Sequence, residues 1–175
     1  MLRFLTTPVE GVVLVESEPV VDARGFFARL FGPEEFVANG IPFVPVQTSL
    51  SYNQTAHTLR GMHYCTAPEA KLVHCTRGRI YDVVIDLRRG SPTFGRWHGC
   101  ELVGGDARGM FIPAGVAHGF LTVEPNSDVL YQIDRLYQSE LAAGVRWNDP
   151  AFDVRWPAVP AIISARDAEY PDFAG

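Results

Sequence analysis

Arg79-Ile80-Tyr81-Asp82-Val83-Val84-Ile85-Asp86-Leu87-Arg88 is the clearest strand in the sequence. In an extended chain Tyr81, Val83, Ile85 and Leu87 fall on one side, and Ile80, Asp82, Val84, Asp86 and Arg88 on the other. This is a period of two with one wholly apolar face, the pattern of a β-strand. Downstream, Gly90-Ser91-Pro92-Thr93 turns the chain into Phe94 to Leu102, and Gly104-Gly105-Asp106 turns it into Met110-Phe111-Ile112. Pro113-Ala114-Gly115 opens a further strand, Val116 to Val123, and Val129 to Ile133 follows. Upstream, Val12 to Val15, Pro19 to Val21 and Phe26 to Leu30 read as extended, with Asp22-Ala23-Arg24-Gly25 as a turn. Val44 to Tyr52 is also extended, with Gln47, Ser49 and Ser51 on one side and Val46, Thr48 and Leu50 on the other. Strands spaced at about 8–12 residues by Gly/Pro turns predict an all-β sandwich or barrel.

Helical signals are short and peripheral. Gly32 to Gly40 carries Pro and acids at its start and Gly at its exit, which predicts a short helix. Ser139 to Ala143 and Ser164 to Tyr170 each predict one helical turn. No internal repeat, linker or low-complexity segment divides the chain, so residues 1–175 are expected to form a single domain.

Composition excludes several classes of function. Hydrophobic residues make up 47% and charged residues 20%, an ordinary soluble balance. A net charge of -5 argues against a broad grip on nucleic acid, so an anionic small ligand must be held by local cations. No apolar run reaches the ~18–20 residues of a membrane span. Met1 to Leu5 lacks the apolar core and cleavage site of a signal peptide. Cys65, Cys75 and Cys100 lack zinc-type spacing and fit reduced thiols in a cytoplasmic protein.

Chemistry concentrates in Arg60-Gly61-Met62-His63-Tyr64 through Lys71-Leu72-Val73, read as strand, turn, strand. Arg and Lys are fixed cations suited to an anion or a developing anion, and His is the default proton carrier near neutrality. The plainer alternative is a hairpin with a charged, wet face. Gly109-Met110-Phe111-Ile112-Pro113-Ala114-Gly115-Val116-Ala117-His118 resembles the second cupin motif, Pro-x-Gly-x-x-His, which closes a jelly-roll barrel. A metal cupin would need His-x-His and Glu in its first motif. Here that stretch reads His63-Tyr64-Cys65, with Lys71 where a further ligand is expected, and an ammonium repels a metal. The resemblance therefore implies a cupin without metal.

With these residues in place, the chain resembles the dTDP-4-dehydrorhamnose 3,5-epimerases from about Pro8 to Pro171. The landmarks are Asp22-Ala23-Arg24-Gly25-Phe26-Phe27, Leu59 to Tyr64, Lys71 to Val73, Asp82 to Arg88, Ser91 to Gly95, Ile112 to Phe120, and Trp147-Asn148-Asp149-Pro150. The resemblance implies a cupin-type jelly roll that epimerises a nucleotide-linked 4-keto-6-deoxyhexose through an enolate, with no cofactor. It implies His63 as base, Asp167 as the carboxylate orienting it, Tyr131 as acid and Lys71 as the cation at the enolate oxygen. His63 alternatively reads as a hydrogen-bonded barrel histidine, and Ser164-Ala165-Arg166-Asp167 as a helix-capping box. Arg60, Gln47, Ser49, His118, Tyr137, Arg29 and Arg166 match substrate-binding positions, and Arg24 matches one that reaches over from a partner subunit. A homodimer exchanging its N-terminal segment is thereby expected.

Departures cluster on the nucleotide side. The family usually has Glu at Arg29, Asn at Ser49, Gln at Cys65, Glu at Ala142 and Lys at Arg166. These changes point to the same proton chemistry on a different nucleotide or sugar. Epimerisation at one centre, a non-catalytic sugar-nucleotide-binding cupin, and a metal cupin oxygenase or isomerase are the other readings.

Overall fold

The computed structural model describes residues 1–174. The strands are β1 (Leu2–Thr6), β2 (Val13–Ser17), β3 (Val20–Asp22), β4 (Gly25–Phe27), β5 (Gln47–Asn53), β6 (Thr58–Cys65) and β7 (Lys71–Arg77). They continue as β8 (Arg79–Asp86), β9 (Trp97–Val103), β10 (Arg108–Ile112), β11 (Val116–Thr122), β12 (Ser127–Ile133), β13 (Ala142–Gly144) and β14 (Ile162–Ile163). Helix α1 (Pro33–Ala38) follows β4, α2 (Ala165–Ala168) follows β14, and a single 3-10 turn covers Ser139–Leu141. One sheet runs β1-β2-β10-β7-β12-β5 and the facing sheet runs β13-β6-β11-β8-β9, with β14 parallel to β6. This is the expected all-β, cupin-type jelly roll with short peripheral helices.

The two faces of β8 are used against simple hydrophobic expectation. Its mixed face looks inward: Ile80 and Val84 join Val73, Met110, Ile112, Phe120 and Val129 in the interior cluster. Its wholly apolar face looks outward, where Val83 and Ile85 pack under Val145, Phe152, Val154, Trp156 and Phe173. The C-terminal segment thus seals the outside, leaving the interior free to hold polar groups. A third cluster lies outside the other sheet, where Phe36 of α1 is fully buried among Phe4, Phe31, Phe43 and Phe111. Removing such a ring costs about 3–5 kcal/mol, so α1 is held by packing more than by helix propensity.

Glycines bring two strands together beside the site. Gly61 has φ +134°, and a Cβ there would meet the backbone of Gly119 on β11. Only glycine fits that close approach. Next to it β6 and β11 are in register at His63↔His118, and the register shifts between His118 and Phe120.

Some elements differ from expectation. Of the Phe26–Leu30 segment only Phe26 and Phe27 form strand, as the end of β4, because β3 and β4 make a separate hairpin and residues 28–32 lead off to α1. Val20, Val21, Phe26 and Phe27 on that hairpin are all more than half exposed, uncovered by their own chain. β1, β13 and β14 carry no period-two signal and form by pairing onto β2 and β6.

Candidate active site

Opposite sheets deliver the reactive side chains to one cavity of about 270 Å3. β6 supplies His63, β11 supplies His118, and β7 and β12 supply Lys71 and Tyr131 from across the barrel. Arg60, Tyr137 and Arg166 also line it. Tyr131 is the inward member of its strand, packed against the interior cluster, as the Tyr131/Leu130 alternation allows.

His63 Nε2 lies 2.8 Å from Asp167 Oδ1, and Asp167 Oδ2 accepts the N–H of Gly61 at 3.1 Å. A carboxylate accepts only, so Nε2 carries the proton and Nδ1 is left as the basic nitrogen. Burial opposes ionisation of Asp167, yet the bonds from His63, Gly61 and Ser164 outweigh it and hold the carboxyl below its usual range. Both readings of Ser164 to Asp167 are realised together. The Asp167 N–H donates to Ser164 Oγ at 3.1 Å as a helix cap, which leaves the Asp167 carboxylate free for His63.

Across the cavity, burial raises the Tyr131 phenol well above its usual range, the nearby Asp82 charge raises it further, and Arg60 opposes both. Tyr131 is therefore held as a neutral O–H. The His118 ring stands edge-on to Tyr131 at 5.9 Å between centroids, with His118 Nε2 held by Asp82 Oδ1 at 2.7 Å. Lys71 Nζ, nearly buried, pairs with Glu69 Oε1 at 3.1 Å.

The residues that match substrate-binding positions are placed differently from one another. Arg60, whose Nε donates to Asn53 Oδ1 at 2.8 Å, faces the cavity directly. Gln47 and Ser49 support its mouth: Gln47 Oε1 accepts the Tyr137 N–H at 2.9 Å, its Nε2 donates to Ser49 Oγ at 3.1 Å, and Ser49 is the register partner of Tyr131. Arg24 and Arg29 stand outside the cavity of their own chain. Arg24 pairs with Asp22 on the β3–β4 hairpin, and Arg29 pairs with Glu35 at 3.2 Å. Arg166 donates to the Ala142 carbonyl at 3.1 Å, in the place where the resemblance leads one to look for a Lys–Glu pair.

Sequence reading missed Asp82, Glu69 and Arg135. Asp82 had a signal, since a carboxylate on a strand bound for the interior must find a partner. Glu69 stands two residues from Lys71, a spacing that shares a face in extended chain. Among the described residues no three His, Cys, Asp or Glu side chains gather as a metal site, and no helix is long and apolar enough to cross a membrane.

An imidazole held by a carboxylate and a neutral phenol face one another from opposite sheets of a cupin barrel, in a cavity also lined by Lys71, Arg60 and Arg166. The chain belongs to the dTDP-4-dehydrorhamnose 3,5-epimerase family, whose model matches residues 6–175. An enzyme of that name from Pseudomonas aeruginosa is 38% identical, over 95% of this chain and 93% of its own. The crystal structure of the Bacillus anthracis enzyme with TDP and PPi bound superposes with a TM-score of 0.95 at 34% identity, covering 99% of this chain and 100% of that one. A 3'-monoepimerase from Streptomyces bikiniensis, in complex with dTDP-quinovose, gives a TM-score of 0.89 at 30% identity, over 95% and 85% of the two chains.

Proposed function

We propose that this chain inverts C3, C5 or both of a dTDP-4-keto-6-deoxyhexose in deoxysugar biosynthesis. The observation that carries the reading is His63, oriented by Asp167, facing the same cavity as Tyr131 from the opposite sheet. His63 Nδ1 takes the proton from the carbon beside the ketone, and the C–H electron pair moves into an enolate whose oxygen gains the charge. Lys71 stabilises that oxygen, a role worth most in a water-poor site. Tyr131 then gives its proton to the opposite face of the carbon, inverting it. The resulting phenolate and the His63 imidazolium are reset by exchange with solvent.

The working unit is a cytoplasmic single-domain chain paired as a homodimer, without metal or organic cofactor. The exposed apolar β3–β4 hairpin supports the pairing, since it carries Arg24, held by Asp22, away from its own cavity.

NMR of dTDP-4-keto-6-deoxyglucose turnover in deuterated water tests the assignment. Deuterium at C3 and C5 is expected, and no exchange at either carbon would refute it. Exchange at one carbon alone selects the mono-epimerase reading. Ala142 in the cavity wall favours the second reading, a nucleotide other than dTDP, because the acceptor expected at that position is gone. Comparing dTDP with CDP, UDP and GDP decides it, and clear dTDP preference at micromolar affinity removes it.

A further inference from the structure

The cavity wall holds more cation than it can neutralise. Lys71 is paired with Glu69, Arg60 donates to the neutral Asn53, and Arg166 donates to a backbone carbonyl. Arg135 has none of these. Among the described residues it makes no ion pair or hydrogen bond, and its Nε is closed off from solvent without a partner. Yet its side chain lines the cavity.

Chain geometry explains how it gets there. Tyr131, Ile133, Arg135 and Tyr137 recur at every second residue, and all four line the cavity. The β7–β12 register ends at Ile133↔Lys71 and is prolonged by Asp134, which accepts the Ala70 N–H at 2.8 Å and donates its own N–H to the Ala70 carbonyl at 3.2 Å. Arg135 thus comes opposite Glu69. That carboxylate is the natural counter-ion, but Lys71 holds it. In a chain of net charge -5, a guanidinium left unpaired inside a site is suited to an anion brought from outside.

We infer that Arg135 binds the diphosphate of the nucleotide sugar. This rests on the reading under Proposed function. Of the groups such a substrate carries, base, ribose and keto-sugar are neutral, and the charge formed on the enolate oxygen is transient and met by Lys71. The diphosphate is the one permanent anion. Arg135 presents the donors of its planar guanidinium to it.

The test measures binding of dTDP, thymidine and inorganic pyrophosphate to the full-length wild type, Arg135→Ala and Arg135→Lys by calorimetry. Arg135→Ala should weaken dTDP and pyrophosphate at least tenfold and leave thymidine unchanged, and Arg135→Lys should recover part of the loss. Equal weakening of thymidine and dTDP would show a structural role and overturn the inference, as would unchanged dTDP and pyrophosphate. The pyrophosphate arm keeps the two readings apart. If the wild type binds pyrophosphate but not dTDP, and Arg135→Ala loses pyrophosphate, the nucleotide assignment fails while the anion contact stands.

Discussion

Asp167→Asn is the sharpest probe of the base, because the hydrogen bonds around that carboxylate dictate what an amide must do there. Asp167 accepts from Gly61 N–H with one oxygen and from His63 Nε2–H with the other. An amide has one oxygen and one NH2, so it satisfies both donors only if one of them changes. The Gly61 N–H is fixed by the chain, whereas the imidazole shifts tautomer freely. With the amide oxygen on Gly61, the NH2 donates to His63 Nε2 and moves the ring proton to Nδ1, where the base must be unprotonated. The other orientation opposes two buried donors at a cost of about 1–3 kcal/mol, which favours the wrong tautomer by roughly 5- to 150-fold. Loss of the carboxylate's hold on the imidazolium adds a further factor of about 10–100, so kcat should fall by about 10^2 to 10^4. The helix cap survives, since it uses the Asp167 backbone N–H. Wash-in of solvent deuterium at C3 and C5, followed by NMR with melting temperature as control, reads the effect. A well-folded variant retaining more than a tenth of wild-type exchange refutes the reasoning.

Tyr131→Phe removes the acid but not the base. Inversion should fall by about 10^2 to 10^4 while hydrogen exchange at the attacked carbon persists through His63, and an unchanged rate of inversion would remove Tyr131 from the mechanism. His74 is buried with both ring nitrogens unpartnered, and burial pushes its pKa down to about 4. The unfolded chain, with His near 6.5, then binds this proton more readily, so stability falls as pH drops below 6.5 and levels off below 4. Between pH 7 and 5 the loss is about 2 kcal/mol. Urea unfolding of His74→Leu should lack that part of the decline, and an identical pH dependence in both proteins would contradict it. Phe27→Glu on the exposed hairpin should shift sedimentation toward monomer and reduce turnover together, whereas a dimeric, fully active variant would show that the hairpin joins nothing.

The strand pattern of Arg79 to Arg88 was legible, but its polarity was not. Alternation reveals two faces without saying which is sealed by a tail some seventy residues downstream. His63 and His118 come to one cavity because each is local to its strand and the 63↔118 register sets them side by side. Asp82 was missed because its partner, His118, is set by the pairing of β8 with β11, whereas the Glu69–Lys71 pair was readable from its i, i+2 spacing. Arg135 escaped for the opposite reason: its significance lies in a bond it fails to make. Arg29, at a position the resemblance assigns to the ligand, pairs with Glu35 outside the cavity of its own chain.

The C-terminal tail joins two duties. Val154, Trp156 and Phe173 shield the barrel's greasy exterior, while Asp167, on the same length of chain, steers the imidazole. On warming, a tail that peels away disarms the catalyst and bares sticky surface in a single event. Loss of turnover should accordingly precede global melting and coincide with the onset of clumping.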